Sequence, residues 1–406
     1  MFIFIYFLLS GITITYGLYF IITSLFAFKK SKVIKELKPS TYFSILVAAR
    51  NEEKVIGNLI KSLKQQDYPK ELYEINIIVN NCDDDTKGQA IKAGANVIEC
   101  TAKTHSKGEV LQWIIKEFKS RKGIDAYVVF DADNVVHPDF LKNMNTSYLN
   151  GIKVAQGFRD TKNISDSWLS SSYALYYYFL NFFYNKARIN MNLSASLNGT
   201  GFYFDKEIAQ KYFKTKTITE DMEFTGICAI NNIKIGFVEN AVTYDEQATG
   251  FKESWTQRKR WSIGIMACTR RYYKKLLNSI FKKGSFASLD ILLVYLSSFI
   301  QVLSFILLLA YCIYTVSSIS LIKVTFVLLF INILLFVSFY IISLFVSIFV
   351  IKYYKKDIKA CLKGVIFFTI FMFTWIPINI VCLFTKKIKW YQIKHHRDIG
   401  IESLTK

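Results

Sequence analysis

The stretch Ala126-Tyr-Val-Val-Phe-Asp-Ala-Asp-Asn134 reads as an apolar strand that stops abruptly at two carboxylates. A short, nearly continuous apolar run is the pattern of a strand buried on both faces, which belongs to a parallel sheet covered by helices. On an extended segment, alternation puts Asp131 and Asp133 on one side. Two carboxylates so placed suit a hard divalent cation that takes its remaining ligands from water and substrate phosphates. The plain alternative is a solvated turn closing a strand.

The pattern repeats upstream. Phe43–Ala49, Ile75–Val79 and Asn96–Cys100 read as further strands, separated by helix-like patterns over Asn51–Gln66, Thr86–Ala93 and Lys107–Phe118. Such alternation predicts an α/β domain with a mostly parallel sheet. Ligands bind beyond the carboxyl ends of strands in such sheets, which selects Arg50–Glu52, Asn80–Asp85 and Asp131–Asn134 together. No GxxxxGK[ST] loop is present, so a diphosphate site here would differ from that of a P-loop enzyme.

Two later stretches carry chemistry. Thr219-Glu220-Asp221 precedes the patterned run Met222–Ile230. Thr219 as N-cap with two acids in the first turn explains it structurally. The same position would also hold a carboxylate rigidly towards a cleft, as a general base requires. Gln257-Arg-Lys-Arg-Trp261 opens a basic, aromatic stretch reaching Lys283. It reads either as an amphipathic helix on an anionic leaflet or as a source of an Arg for diphosphate and an indole for a sugar face.

The chain has 406 residues, 52% hydrophobic and 16% aromatic, with a net charge of +20. That composition excludes a wholly soluble protein. Residues 1–28 carry no charge and exceed the roughly 20 residues that cross a bilayer. Charge-poor runs return at Ile291–Ser318, Val324–Ile351 and Gly364–Phe384. Lys29-Lys30 places residues 30–287 on the cytosolic side by the positive-inside rule. If the fourth run spans, the basic tail falls on the opposite side. Trp375-Ile-Pro377 in mid-run therefore allows a re-entrant segment, and a cytosolic tail is expected. A basic stretch directly before a membrane run argues against a nucleic-acid partner. The seven cysteines show no CxxC pairing and read as free thiols in a reducing compartment.

In order, the motifs AARNEE (48–53), NNCDDDT (80–86), SKG (106–108), DAD (131–133), QG (156–157), NGTGF (198–202), TED (219–221) and QRKRW (257–261) make the chain resemble the membrane-bound family 2 glycosyltransferases. The resemblance implies a GT-A fold, a UDP-sugar donor, a polysaccharide or lipid acceptor, and Mg²⁺ or Mn²⁺. Glu52, Asp84 and Lys107 would line the nucleotide pocket. Asp131 and Asp133 would meet the diphosphate, Asp133 through the metal. Asp221 would be the base, with Glu220 beside it, and Arg260 would face the diphosphate. Gln257 and Trp261 would bind the acceptor. Asn80 departs from a frequent Asp, and Ala48 from a frequent Pro. The implied organisation is a membrane helix (1–28), a cytosolic catalytic domain (30–254), an interfacial helix (255–287), membrane or re-entrant segments (288–384) and a basic cytosolic tail (385–406), in a multi-pass protein of the cell membrane. Processive polymer synthesis with export is the leading expectation. Transfer to a lipid acceptor, seated by the aromatic segment Trp168–Tyr184, is its rival; for that segment the plain alternative is a buried helix. A catalytically silent membrane module is a third possibility, opposed by Asp133, Asp221 and Trp261.

Overall fold

The computed structural model describes residues 2–31, 35–317, 322–385 and 399–404. Eight strands form one sheet among them: β1 (Phe43–Ala49), β2 (Tyr73–Val79), β3 (Asn96–Glu99), β4 (Ala126–Asp131), β5 (Val135–Val136), β6 (Val154–Thr161), β7 (Phe202–Asp205) and β8 (Ile235–Asp245). Their order is β3-β2-β1-β4-β7-β6-β8-β5. β1, β2, β3 and β4 run parallel, as the apolar runs predict. Successive residues of β1 and β4 feed opposite faces. Phe43, Ile45, Val47, Val128 and Phe130 enter one core, and Leu46, Tyr127 and Val129 the other.

The sheet departs from the parallel expectation at β7, which is antiparallel to both β4 and β6. Phe202 opposite Val129 therefore brings the start of β7 to the carboxyl end of β4. The loop before it turns through Gly199 (φ +95°) and Gly201 (φ +61°), conformations that L side chains rarely adopt. The NGTGF motif thus arrives beside the DAD motif.

Four helices are long and apolar enough to cross a membrane among the described residues: Phe4–Phe28, Phe286–Tyr314, Asn332–Tyr353 and Ile358–Phe384. The second apolar run was expected from Ile291; its helix starts at Phe286 and takes in Asp290. Asp290 is buried and receives Arg188 through Nε (3.2 Å) and Nη2 (3.0 Å), Tyr19 (2.7 Å) and Tyr184 (2.9 Å). Hydropathy stops at a charge, so it cannot foresee that this one is neutralised by Arg188, 102 positions away.

The fourth run is two helices, Ile358–Phe373 and Trp375–Phe384, broken at Thr374. Pro377 lacks the N–H that the Phe373 carbonyl would receive, and its ring crowds that turn. At the break the Phe371 carbonyl accepts from the Thr374 hydroxyl (2.6 Å) and from Arg258 Nη1 (3.2 Å), which also donates to Thr374 Oγ1 (2.6 Å).

Arg270, Arg271, Lys274 and Lys275 of the basic stretch are exposed, whereas Arg258 faces protein. It lies fully buried in the helix Phe251–Lys283, which packs against Glu220–Ile230, Phe286–Ser317 and Trp375–Phe384. The segment Trp168–Tyr184 is helical to Phe179 and continues as a π-helix to Lys186; its inner face packs on Ile358–Phe373, where the Gly364 amide donates to Ser171 Oγ (2.8 Å). Most of the basic tail, residues 386–398, lies outside the described residues. Beyond it Ile401 packs on Val135 and Tyr244 at the sheet edge.

Removing one member of a buried ion pair costs about 3–5 kcal/mol. Arg188→Met should lower unfolding stability in detergent by about that much. The Arg188→Met/Asp290→Leu double variant should lose less than the two single losses summed.

Candidate active site

The expected strand-end loops converge. Thr86 Oγ1 accepts from the Glu52 amide (2.7 Å) and donates to Asp84 Oδ1 (2.5 Å). Asp84 Oδ2 accepts from the Glu53 amide (3.1 Å), and Asn51 Oδ1 from the Asp83 amide (2.7 Å). Asn51 and Asn81 hold positive φ, tolerable for Asn. The AARNEE and NNCDDDT loops therefore lock each other, and both Asp84 oxygens are engaged in doing so.

Asp131 and Asp133 follow at the end of β4. The Asp131 amide donates to Thr200 Oγ1 (3.0 Å) and Asn134 Oδ1 (3.1 Å), tying the DAD loop to the Asn198–Gly201 loop. Lys107 Nζ donates to Asp131 Oδ1 (2.5 Å) and to the Gly199 carbonyl (2.7 Å), and lies 3.8 Å from Glu220 Oε1. Gly108 makes this meeting possible: a Cβ there would stand 2.8 Å from Glu220 Cβ. Burial works to lower the Lys107 pKa, and Asp131 and Glu220 more than offset it, so the ammonium stays charged.

The two acids of TED lead the helix Glu220–Ile230. Thr219 occupies its N-cap position without accepting a cap hydrogen bond. Instead Glu223 accepts from the Lys216 and Thr217 amides, both at 2.6 Å. Burial raises both Glu220 and Asp221, with Lys107 opposing. Asp221 lies beside Gly199 and the Arg159 guanidinium. A carboxylate with a raised pKa, held rigid at a helix start, meets the physical requirement for accepting a proton.

Several site residues escaped the sequence reading. Arg159 is buried on β6, donates to Asp245 Oδ2 (2.7 Å) and the Asn198 carbonyl (2.5 Å), and stacks on Tyr177 at 4.2 Å. Lys162 donates to the Asp133 carbonyl, and Asp133 Oδ2 accepts from the Glu246 amide (3.2 Å). Lys162 follows β6, and Glu246 follows β8. The strand-end rule applied to those two strands would have found them. Asn198 is 9% exposed, and neither side-chain amide atom has a partner.

The QRKRW residues line an adjoining wall. Trp261 meets Tyr173 edge-on at 6.0 Å and lies nearly parallel to Trp375 at 6.3 Å. Gln257 Oε1 is buried without a partner, and Arg260 is half-buried without a hydrogen bond or ion pair among the described residues.

Charge in the cleft is unbalanced. Glu52 is pushed up to about 9, first by burial and then by Asp133, Asp131, Asp84 and Glu246. Cation chemistry fits this crowding. No cluster of three or more His, Cys, Asp or Glu side chains is poised to hold a metal among the described residues.

Residues 39–264 match the family described as glycosyltransferase like family 2. The chain belongs to this family. Among curated proteins, this glycosyltransferase is 25% identical over 283 residues to a beta-monoglucosyldiacylglycerol synthase of Nostoc sp., covering 66% of this chain and 58% of that protein. Its counterpart in Synechocystis sp. is 24% identical over 245 residues, covering 56% and 48%. The chain thus spans between 48% and 58% of the length of these relatives. Among solved structures, a mannosyltransferase from Pyrobaculum calidifontis in complex with GDP-Man and Mn²⁺ superposes with a TM-score of 0.61. That match has 12% identity and covers 94% of this chain and 99% of that one. The shared feature is the GT-A fold, a Rossmann-like mixed sheet.

Glu52 also sets a pH signature. Its folded pKa of about 9 stands above the ordinary 4.5, so stability present below pH 4.5 is lost as pH rises towards 9. Glu52→Gln should raise the thermal midpoint near pH 9, have no effect near pH 4.5, and show a smaller gain with Mn²⁺ present. Differential scanning fluorimetry across that range checks this.

Proposed function

We infer that this family 2 glycosyltransferase transfers a hexose from a nucleoside-diphosphate sugar, UDP-linked by resemblance, to a hydroxyl of a lipid acceptor at the membrane surface. One observation carries the choice of acceptor. Tyr176 meets Tyr177 edge-on at 5.4 Å, and Tyr177 lies under the Arg159 guanidinium (4.2 Å), which adjoins Asp221 beside Gly199. The Tyr176 ring packs on Trp375, inside a helix pair of membrane-spanning length. The wall of the catalytic cleft is therefore built partly from apolar helices. The similarity to beta-monoglucosyldiacylglycerol synthases supports the same reading and suggests glucose and diacylglycerol. Processive polymer synthesis rests on the QRKRW signature together with the several apolar runs.

The chemistry is the one that the family resemblance implies, and the placement of these residues supports it. Asp221 takes the proton of the acceptor hydroxyl as that oxygen bonds to the sugar's anomeric carbon. The bond from that carbon to the diphosphate breaks in line, so an α-linked donor gives a β-linked product. Glu220 and Lys107 fix the helix that presents Asp221. The Glu52 and Asp84 loops shape the nucleotide pocket, while Lys107 and Asp131 hold its phosphate side. Arg260 offsets charge on the departing diphosphate. Gln257 and Trp261 hold the acceptor. Asp133 and Asp131 would hold a Mg²⁺ or Mn²⁺ ion, which supplies charge neutralisation of the diphosphate. In this reading residues 30–254 form a cytosolic catalytic domain, 255–287 a helix along the membrane junction, and the apolar segments a multi-pass anchor.

The protein in nanodiscs containing diacylglycerol, given UDP-sugars and Mn²⁺, should release UDP and yield lipid carrying one or two hexoses. A long polymer would sink the lipid-acceptor reading, and no release with any donor would sink the catalytic one. Asp221→Asn should keep UDP binding by calorimetry while transfer falls by about 10²–10⁴-fold. Retained transfer would reassign the base.

A further inference from the structure

The break in the fourth apolar run falls against the catalytic wall. Trp375, the first residue after it, is nearly parallel to Tyr176 on one side (6.2 Å, 30°) and to Trp261 on the other (6.3 Å, 24°). These separations lie towards the long end of aromatic contact, so the rings are offset and leave edges uncovered. Gln257 lies one helical turn from Trp261, on the same face. Three polar atoms in this cluster are buried without partners: Trp375 Nε1, Gln257 Oε1 and Arg258 Nη2, the Arg258 guanidinium lying 5.5 Å from the Trp375 ring. A buried polar atom left unsatisfied is costly, so each is a candidate for a ligand partner. Two donors and one acceptor together match a ligand that offers both carbonyl and hydroxyl oxygens.

What lies on the other side selects the ligand class. Phe367, Ile370, Met372 and Phe373, just before the break, are exposed and apolar. A ligand resting on Trp375 would therefore have the proton-accepting carboxylate towards one end and bare hydrocarbon towards the other. We propose that Trp375 and Tyr176, with Gln257, form the subsite for the polar neck of a lipid acceptor whose ester carbonyls and free hydroxyl meet these groups and whose chains leave along Ile358–Phe373. Arg258 is a positioning residue. Together with the Thr374 hydroxyl it donates to the Phe371 carbonyl and so anchors the break beside Trp261, as irregular backbone at membrane depth requires. The inference rests on the glycosyl-transfer reading and deepens it.

Two measurements on the full chain in nanodiscs test it. Trp375→Phe keeps the ring and removes the N–H. It should raise KM for diacylglycerol about tenfold, as one lost hydrogen bond predicts, with donor affinity unchanged. Trp375→Ala should raise it further, and the Phe variant stands alone if the Ala variant fails to fold. An unchanged acceptor KM, or equal losses for donor and acceptor, overturns the subsite even if glycolipid is made. Independently of turnover, diacylglycerol carrying a photoactivatable diazirine near its glycerol should label residues 362–376 or Tyr176, read by peptide mass spectrometry. Labelling there without any transfer would support the subsite while the catalytic reading fails. Labelling confined to the other apolar helices would overturn the subsite.

Discussion

The Lys107 ammonium holds the site together. Through Asp131, the Gly199 carbonyl and Glu220 it ties the end of β4, the loop ahead of β7 and the start of the helix Glu220–Ile230 to one point. A buried charge is tolerable only when paired, so the three segments cannot drift apart without exposing an unpaired ion. Gly108 admits the close approach that this requires. Burial and the crowding of Asp133, Asp131, Asp84 and Glu246 hold Glu52 protonated at neutral pH, and this crowding makes the cleft receptive to a cation and its diphosphate.

The membrane-length helices are joined to this domain by two buried arginines used differently. Arg188 meets the carboxylate of Asp290, which also accepts from Tyr19 and Tyr184, fastening the first and second apolar helices to the segment that follows Trp168. Arg258 meets a backbone carbonyl and a hydroxyl freed by a helix break. The first joint is an ion pair with matched charge. The second is a cap for unsatisfied backbone, and it turns a membrane-length helix into part of the cleft wall. Catalytic domain and apolar helices consequently share side chains, with Tyr176, Trp261 and Trp375 in contact across the junction.

The sequence determined what depends on local order and period. Unbroken apolar runs ending in carboxylates dictated β1, β2 and β4 and the loops after them, because a strand buried on both faces can place its polar residues only at its ends. Glu52, Asp131 and Asp133 were legible for that reason, Lys107 only through the family resemblance of its SKG motif, and the four apolar runs for their length. Tertiary structure decided what depends on partners distant in the chain. Nothing near Arg159 announces Asp245, nothing near Asp290 announces Arg188, and a run of basic residues does not reveal that Arg258 points inward. The antiparallel course of β7 and the meeting of Trp375 with Tyr176 and Trp261 likewise follow from packing. Hydrophobic period fixes which face of an element is buried, whereas only the assembled fold fixes what that face is buried against.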